Sequence, residues 1–223
     1  MSLPVGLAVA GCALSGAAAG PALAATAARL PGVAPRRWLA AALAAVAFGA
    51  VALRLLPDRA LWYALPAFLA LAGTAVLLWV VDADVRRLPD AITLPGYLVV
   101  ALLLVPASLL GPVGWAGLVR AAVGALVAAG LYLVLALPPS APLGFGDVKL
   151  AGLLGLALAW LSWPALAVGI ALGFLYGAVY GVALVVTRRA GMRTRIPFGP
   201  AMLAGAFTAI ALGDQLAAVY RAW

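Results

Sequence analysis

An all-α, polytopic integral membrane protein is what this sequence predicts, and two observations carry the prediction. Of 223 residues, 67% are hydrophobic and 9% charged, with a mean hydropathy of +1.19, whereas soluble domains carry roughly 25% charged residues. The apolar runs are also continuous, without the alternation of a barrel strand. Backbone polar groups in lipid must be satisfied within a helix or by barrel closure, so continuous runs select helices. About eight transmembrane helices in a single membrane domain, residues 1–223, are expected, with the N-terminus outside.

The first helix occupies residues 3–28, an uncharged Ala/Gly-rich run. It resembles a signal peptide but lacks the basic segment such a signal needs, and Val9-Ala10-Gly11-Cys12 resembles a lipoprotein cleavage box with the same defect. A retained helix is therefore expected. A second run, Trp38 to Leu56, ends at Pro57-Asp58-Arg59. A third, Ala60 to Val81, ends at the charged segment Asp82 to Asp90. Residues 91–137 then carry Arg120 as their only charge. At ~1.5 Å per residue this stretch makes about 70 Å of helix, enough for two passes of a ~30 Å core. Gly111-Pro-Val-Gly-Trp115 is the natural break, giving helices near 92–110 and 116–137. After Pro138 to Pro142, residues 150–187 are again uncharged and break near Ser162-Trp163-Pro164. A basic loop from Arg188 to Arg195 precedes the last helix, Phe198 to Tyr220. Glycines at helical spacing, Gly16 with Gly20 and Gly173, Gly177 and Gly181, are expected to let helices pack closely in lipid.

Charge supports this order. With the N-terminus outside, Arg29, Arg36, Arg37, Arg86, Arg87, Lys149, Arg188, Arg189, Arg193 and Arg195 fall inside, and only Arg54, Arg59, Arg120 and Arg221 outside. Ten against four satisfies the positive-inside rule. The net charge of +8 is thus explained by orientation, and no nucleic-acid partner is called for. The chain has no histidine, no glutamate and one cysteine. No His/Cys metal cluster and no intramolecular disulfide can be built, and nothing encodes a metal or cofactor site.

Six aspartates are the chemistry left. Asp82 and Asp84 lie at the end of the third helix, and Asp147 opens the sixth from the same side. Asp147 stands in Gly144-Phe-Gly146-Asp147-Val-Lys149, where the glycines are expected to give a tight backbone path with room for a peptide. Two carboxylates brought together in a partly dry setting share a proton and titrate as a unit, which suits acid–base hydrolysis. On spacing alone, Asp82 and Asp84 beside Arg86 and Arg87 equally read as a stop-transfer cluster, and Asp147 beside Lys149 as a surface ion pair. Asp90, after Pro89, suits a helix first turn. Asp58 and Asp214 fall on the outer side as solvated or interfacial charges.

Three segments resemble the prepilin peptidases, the type IV leader peptidases of the GxGD class of intramembrane aspartic proteases. They are Asp82-Ala-Asp-Val-Arg-Arg-Leu-Pro-Asp-Ala-Ile-Thr-Leu-Pro95, Gly144-Phe-Gly-Asp-Val-Lys-Leu150 and Arg195-Ile-Pro-Phe-Gly-Pro-Ala-Met-Leu203. The resemblance covers about residues 38–215, the expected peptidase core. It implies catalytic aspartates at Asp147 and Asp82, with Asp84 the competitor for the second role. It places Pro89, Lys149, Phe198, Gly199 and Pro200 as supports of the site or the substrate groove.

The implied activity is removal of the leader from type IV pilin or pseudopilin precursors at the inner face of the bacterial cytoplasmic membrane, without a cofactor. Bifunctional members carry two Cys-x-x-Cys pairs after the first helix, linked to N-methylation of the cut product. The loop here, Leu30 to Arg37, has no cysteine, so a peptidase without methyltransferase activity is expected. A proton-coupled transporter using Asp82 or Asp147 as a relay and a noncatalytic membrane subunit are the rival readings.

Overall fold

Helix follows helix along the computed structural model, which describes residues 3–138, 143–187 and 197–221. The α-helices are α1 (Leu3–Ala27), α2 (Arg37–Leu55), α3 (Leu65–Val85), α4 (Asp90–Leu110), α5 (Gly114–Ala136), α6 (Phe145–Leu161), α7 (Trp163–Val186) and α8 (Gly199–Arg221). A short 3-10 helix, Arg59–Ala64, leads into α3. No strand occurs among the described residues, so the all-α expectation holds. Helices α1, α2, α4, α5 and α7, and the unit of the 3-10 helix with α3, are each long and apolar enough to cross a membrane. Gly199–Leu212 of α8 is a shorter apolar stretch.

Local chemistry sets the helix ends. Asp58 accepts a hydrogen bond from the Ala60 N–H (2.9 Å) and starts the 3-10 helix, using one of the orphan donors of a helix N-terminus. Ser162 accepts from Ala165 N–H (3.1 Å) at the start of α7, with Pro164 in its first turn, a position that does not need the missing N–H. The break expected at Ser162-Trp163-Pro164 is therefore a capped junction. At the far end of α6, Arg120 of α5 donates to the carbonyls of Ala159, Trp160 and Leu161. These are carbonyls that α6 cannot satisfy itself, and the positive end group also suits the helix dipole.

The helices pair as neighbours in sequence: α1 with α2, α5 with α6, and α7 with α8. Small residues make these pairings possible. A Cβ on Gly16 or Gly20 would collide with the α2 backbone at Ala44 and Ala41, and one on Gly155 would lie 2.6 Å from the Gly124 carbonyl oxygen. In lipid, such close approach supplies dispersion contacts in place of a hydrophobic driving force. Helix α6 lies innermost. Eleven of its 17 residues are buried, against four of 25 in α1, so α6 forms the centre and α1 the lipid-facing edge. Phe68, Leu104, Leu153, Trp160 and Ile210 join one apolar core around it. Trp160 satisfies its indole N–H with the buried Ser108 hydroxyl (2.8 Å).

One boundary differs from the sequence expectation. Helix α3 runs to Val85 instead of ending at Val81, because the carboxylates of Asp82 and Asp84 find partners and need not leave the helix. Helix α6 begins at Phe145 with Asp147 in its first turn, so the glycine motif is a helix start. Neither Gly144 nor Gly146 has a positive φ; Gly144 is extended at φ −100°, ψ 164°. The expected linker at 139–142 and basic loop at 188–195 lie outside the described residues, as do the side chains of Asp214 and Arg221.

Candidate functional site

Helix ends build this site. Asp82 sits in the last turn of α3, and its residue is 4% exposed, a burial that a carboxylate tolerates only with a partner. Its Oδ2 accepts from the Gly199 N–H (3.1 Å) at the first residue of α8. An acid on one helix thus caps another, where free N–H groups and the dipole favour negative charge. The approach requires glycine: a Cβ at position 199 would lie 2.6 Å from Asp82 Oδ2 and 3.2 Å from its Cγ. The Phe198 carbonyl completes the turn by accepting from the Ala201 and Met202 N–H groups (both 3.1 Å).

Asp147 occupies the first turn of α6. Its Oδ2 accepts from the Gly144 N–H (2.8 Å) while its own N–H donates to the Gly144 carbonyl (3.0 Å). This reciprocal pair anchors the carboxylate at the helix start. A Cβ on Gly146 would lie 3.0 Å from the Leu88 Cβ, so this glycine serves close packing against the α3–α4 connection instead of a tight turn. Because Gly146 packs on Leu88, just past the end of α3, Asp82 and Asp147 lie at the same end of the bundle although they are 65 residues apart in the chain. The acids that the sequence singled out are therefore brought to one end of the bundle.

Asp84 is held differently. Arg36 Nη2 pairs with its Oδ1 at 2.6 Å, and the Ala34 N–H donates to its Oδ2 (2.9 Å). Both oxygens are engaged by the α1–α2 connection, on the side away from Gly199. Lys149 does not pair with Asp147, as the local spacing allowed. Its Nζ lies 2.6 Å and 2.8 Å from the two Asp90 oxygens, tying the start of α6 to the start of α4. Pro89 caps α4 in extended conformation, φ −72° and ψ 135°, and its carbonyl accepts from Thr93 Oγ1 (3.1 Å).

Phe198 belongs to an aromatic cluster beside the acids. Its ring centroid lies 6.3 Å from Tyr132 and 5.6 Å from Phe174, which itself stacks on Tyr132 at 5.2 Å. Tyr132 is buried. Pro200 follows Gly199 in the first turn of α8. Sequence reasoning missed Arg36, Tyr97 and Tyr132. Tyr97 donates its hydroxyl proton to the Lys149 carbonyl (2.7 Å), and a Cβ on Gly152 would strike that same tyrosine. A tyrosine within an otherwise apolar span was the available signal, since its hydroxyl needs a partner there.

Comparison with known proteins identifies the family. The family model described as the type IV leader peptidase family matches residues 69–182, a segment containing Asp82, Asp84, Asp90, Asp147 and Lys149. A protein of Aeromonas salmonicida (strain A449) named prepilin leader peptidase/N-methyltransferase is 36% identical over 178 residues, covering 76% of this chain and 56% of that protein. A Pseudomonas putida protein of the same name is 34% identical over 153 residues, covering 66% of this chain and 50% of that protein. A Bacillus subtilis protein, again of that name, is 37% identical over 106 residues, covering 48% and 40%. The chain thus spans about half the length of the curated relatives it matches. No solved structure matches it. With the matched segment running through every acid at the gathered helix ends, this chain is a member of the type IV leader peptidase family.

Proposed function

We propose that this chain is an intramembrane aspartic endopeptidase that removes the leader from type IV pilin or pseudopilin precursors, with Asp82 and Asp147 as its catalytic pair. The observation that carries the reading is the presence at one bundle end of two acids from separate helices, one of them buried against the N-terminus of α8, in a member of a peptidase family. The engagement of both Asp84 oxygens by Arg36 and Ala34 favours Asp82 as the partner of Asp147. One membrane domain, with a peptidase core over about 38–215, accommodates every residue involved.

Two such carboxylates hold one proton between them. The ionised member takes a proton from water as the oxygen attacks the scissile carbonyl carbon. The protonated member donates to the carbonyl oxygen, giving a neutral gem-diol. Collapse breaks the C–N bond, one carboxyl protonating the leaving amine while the other recovers a proton from the diol. The products are a free leader carboxyl and a new N-terminus on the pilin, and the pair returns to one shared proton.

The bacterial cytoplasmic membrane, with the acids on its inner face, suits a substrate whose leader lies inside and whose apolar helix lies in the bilayer. Arg36 and Lys149 lie at the same bundle end as the acids, and Arg120 caps the opposite end of α6, a distribution the positive-inside rule favours. The cysteine-free α1–α2 connection supports activity without N-methylation. Coexpression with a prepilin, read as the size of the pilin band, tests the pair. Asp82→Asn and Asp147→Asn are expected to leave the precursor uncut, and Asp84→Asn to process it at a reduced rate. Full processing by Asp147→Asn would sink the protease reading.

A further inference from the structure

The connection between α1 and α2 lies across the end of α3 that carries Asp82. Val33 is buried in a cluster with Val80 and Val81. Gly32, at φ +84°, runs so close to α3 that a Cβ on it would lie 3.1 Å from Val85 Cγ1. Next come the two polar ties, Ala34 N–H to Asp84 Oδ2 at 2.9 Å and Arg36 to Asp84 Oδ1 at 2.6 Å. The Asp84 side chain is only 7% exposed, so this ion pair is shielded on the carboxylate side.

Geometry links these ties to Asp82. Residues two apart on a helix point about 200° apart, so Asp82 and Asp84 leave opposite sides of one turn. Asp82 reaches the start of α8 and Asp84 reaches the α1–α2 connection. That turn is the last of α3, closed by Arg86 in the left-handed region at φ 53°, and a helix's final turn lacks onward hydrogen bonds and frays unless held. Neither tie comes from α8 or α6, so the connection contributes a restraint that the acid pair does not provide for itself.

We propose that the α1–α2 connection is a strap that fixes the last turn of α3, and that Arg36 and Asp84 are positioning residues setting where Asp82 meets Gly199. The inference rests on the reading of Asp82 as catalytic. It assigns to the second acid of Asp82-Ala-Asp84 a mechanical role distinct from proton transfer.

The test uses the full chain in lipid nanodiscs with a purified type IV prepilin, measuring kcat and KM. Arg36→Ala and Asp84→Asn are each expected to lower kcat about ten-fold, since small misplacement of a reacting group costs this much or more. KM should stay within about two-fold, because a positioning role acts on the reacting carboxylate and not on substrate binding. The double variant should be no slower than either single, and Arg36→Lys should recover most of the rate. Wild-type kcat in both singles, or multiplied losses in the double variant, would overturn the strap. Full activity in Arg36→Ala with none in Asp84→Asn would also overturn it, by making Asp84 act on its own. Cleavage by Asp82→Asn would instead remove the catalytic reading beneath it, and so is told apart. Should Asp84→Asn fail to accumulate, Arg36→Ala carries the test, because its side chain is half exposed and lies outside the helices.

Discussion

Gly199 is the residue on which most of the acid geometry turns. Its N–H holds Asp82, and its missing side chain lets the two helix ends approach: an added Cβ would lie 2.6 Å from the carboxylate oxygen, closer than carbon and oxygen tolerate. Gly199→Ala must therefore push Asp82 away or shift the start of α8. We expect cleavage to fall by about 100-fold or more, in line with the cost of roughly 1 Å of misplacement, with the protein still present in the membrane. Gly146→Ala meets the Leu88 Cβ at 3.0 Å, a contact that a connection between helices can relax, so its loss should be smaller. Prepilin cleavage rates of both variants, normalised to membrane abundance, check the order; equal rates would show that the Asp82–Gly199 approach is not what sets the site. This distinction was invisible in the sequence, where Gly144 and Gly146 promised backbone freedom and Gly199 stood only as a support of the site or the substrate groove. The motif glycines in fact lie in extended and helical backbone, and of these three glycines the one an added Cβ would crowd most is Gly199, held to an acid 117 residues away.

At the scale of helices, two cations tie α6 to its neighbours with unequal force. Lys149 pairs with Asp90, but both side chains are well exposed, at 38% and 55%, and exposed pairs contribute about 0–1 kcal/mol. Arg120 donates to three successive carbonyls at the other end of α6. Without it, acceptors in a low-dielectric setting lose their partner, a loss of about 1–3 kcal/mol. Arg120→Met is therefore expected to destabilise the protein by about 2 kcal/mol, and Lys149→Met by less than about 1 kcal/mol, measured by unfolding in detergent. A larger effect at Lys149 would mean that the pair is dry in the lipid-bound protein. Helix existence and order were legible because length and apolarity report on a membrane span directly. Helix pairing was not, since faces that meet lipid and faces that meet protein are equally apolar, and the decisive contacts join residues 50 and 59 positions apart. The acids themselves were legible for the opposite reason: in a chain with only six of them, each buried carboxylate demands an account.

For the whole molecule, the arrangement of polar groups defines two unlike ends. One end holds Asp82, Asp84 with Arg36, Asp147, and Lys149 with Asp90. The other holds Arg120 on the α6 carbonyls and the 3-10 helix, where Arg59 lies 5.8 Å from the Trp62 ring centroid. If basic residues stay inside, the acid end faces the cytoplasm, as leader cleavage requires. Single cysteines placed in a Cys12→Ala background decide this. Pro35 and Pro57 are both exposed and lie at opposite ends of α2, so they sample the two sides of the membrane. An impermeant maleimide applied to intact spheroplasts should label Pro57→Cys, and should reach Pro35→Cys only after the membrane is opened. The reversed pattern would place Asp82 and Asp147 on the outer face, away from any leader retained inside. In that case even a fully competent acid pair could not serve prepilin processing in the cell, and the proposed substrate would have to be abandoned while the family and the site geometry stood.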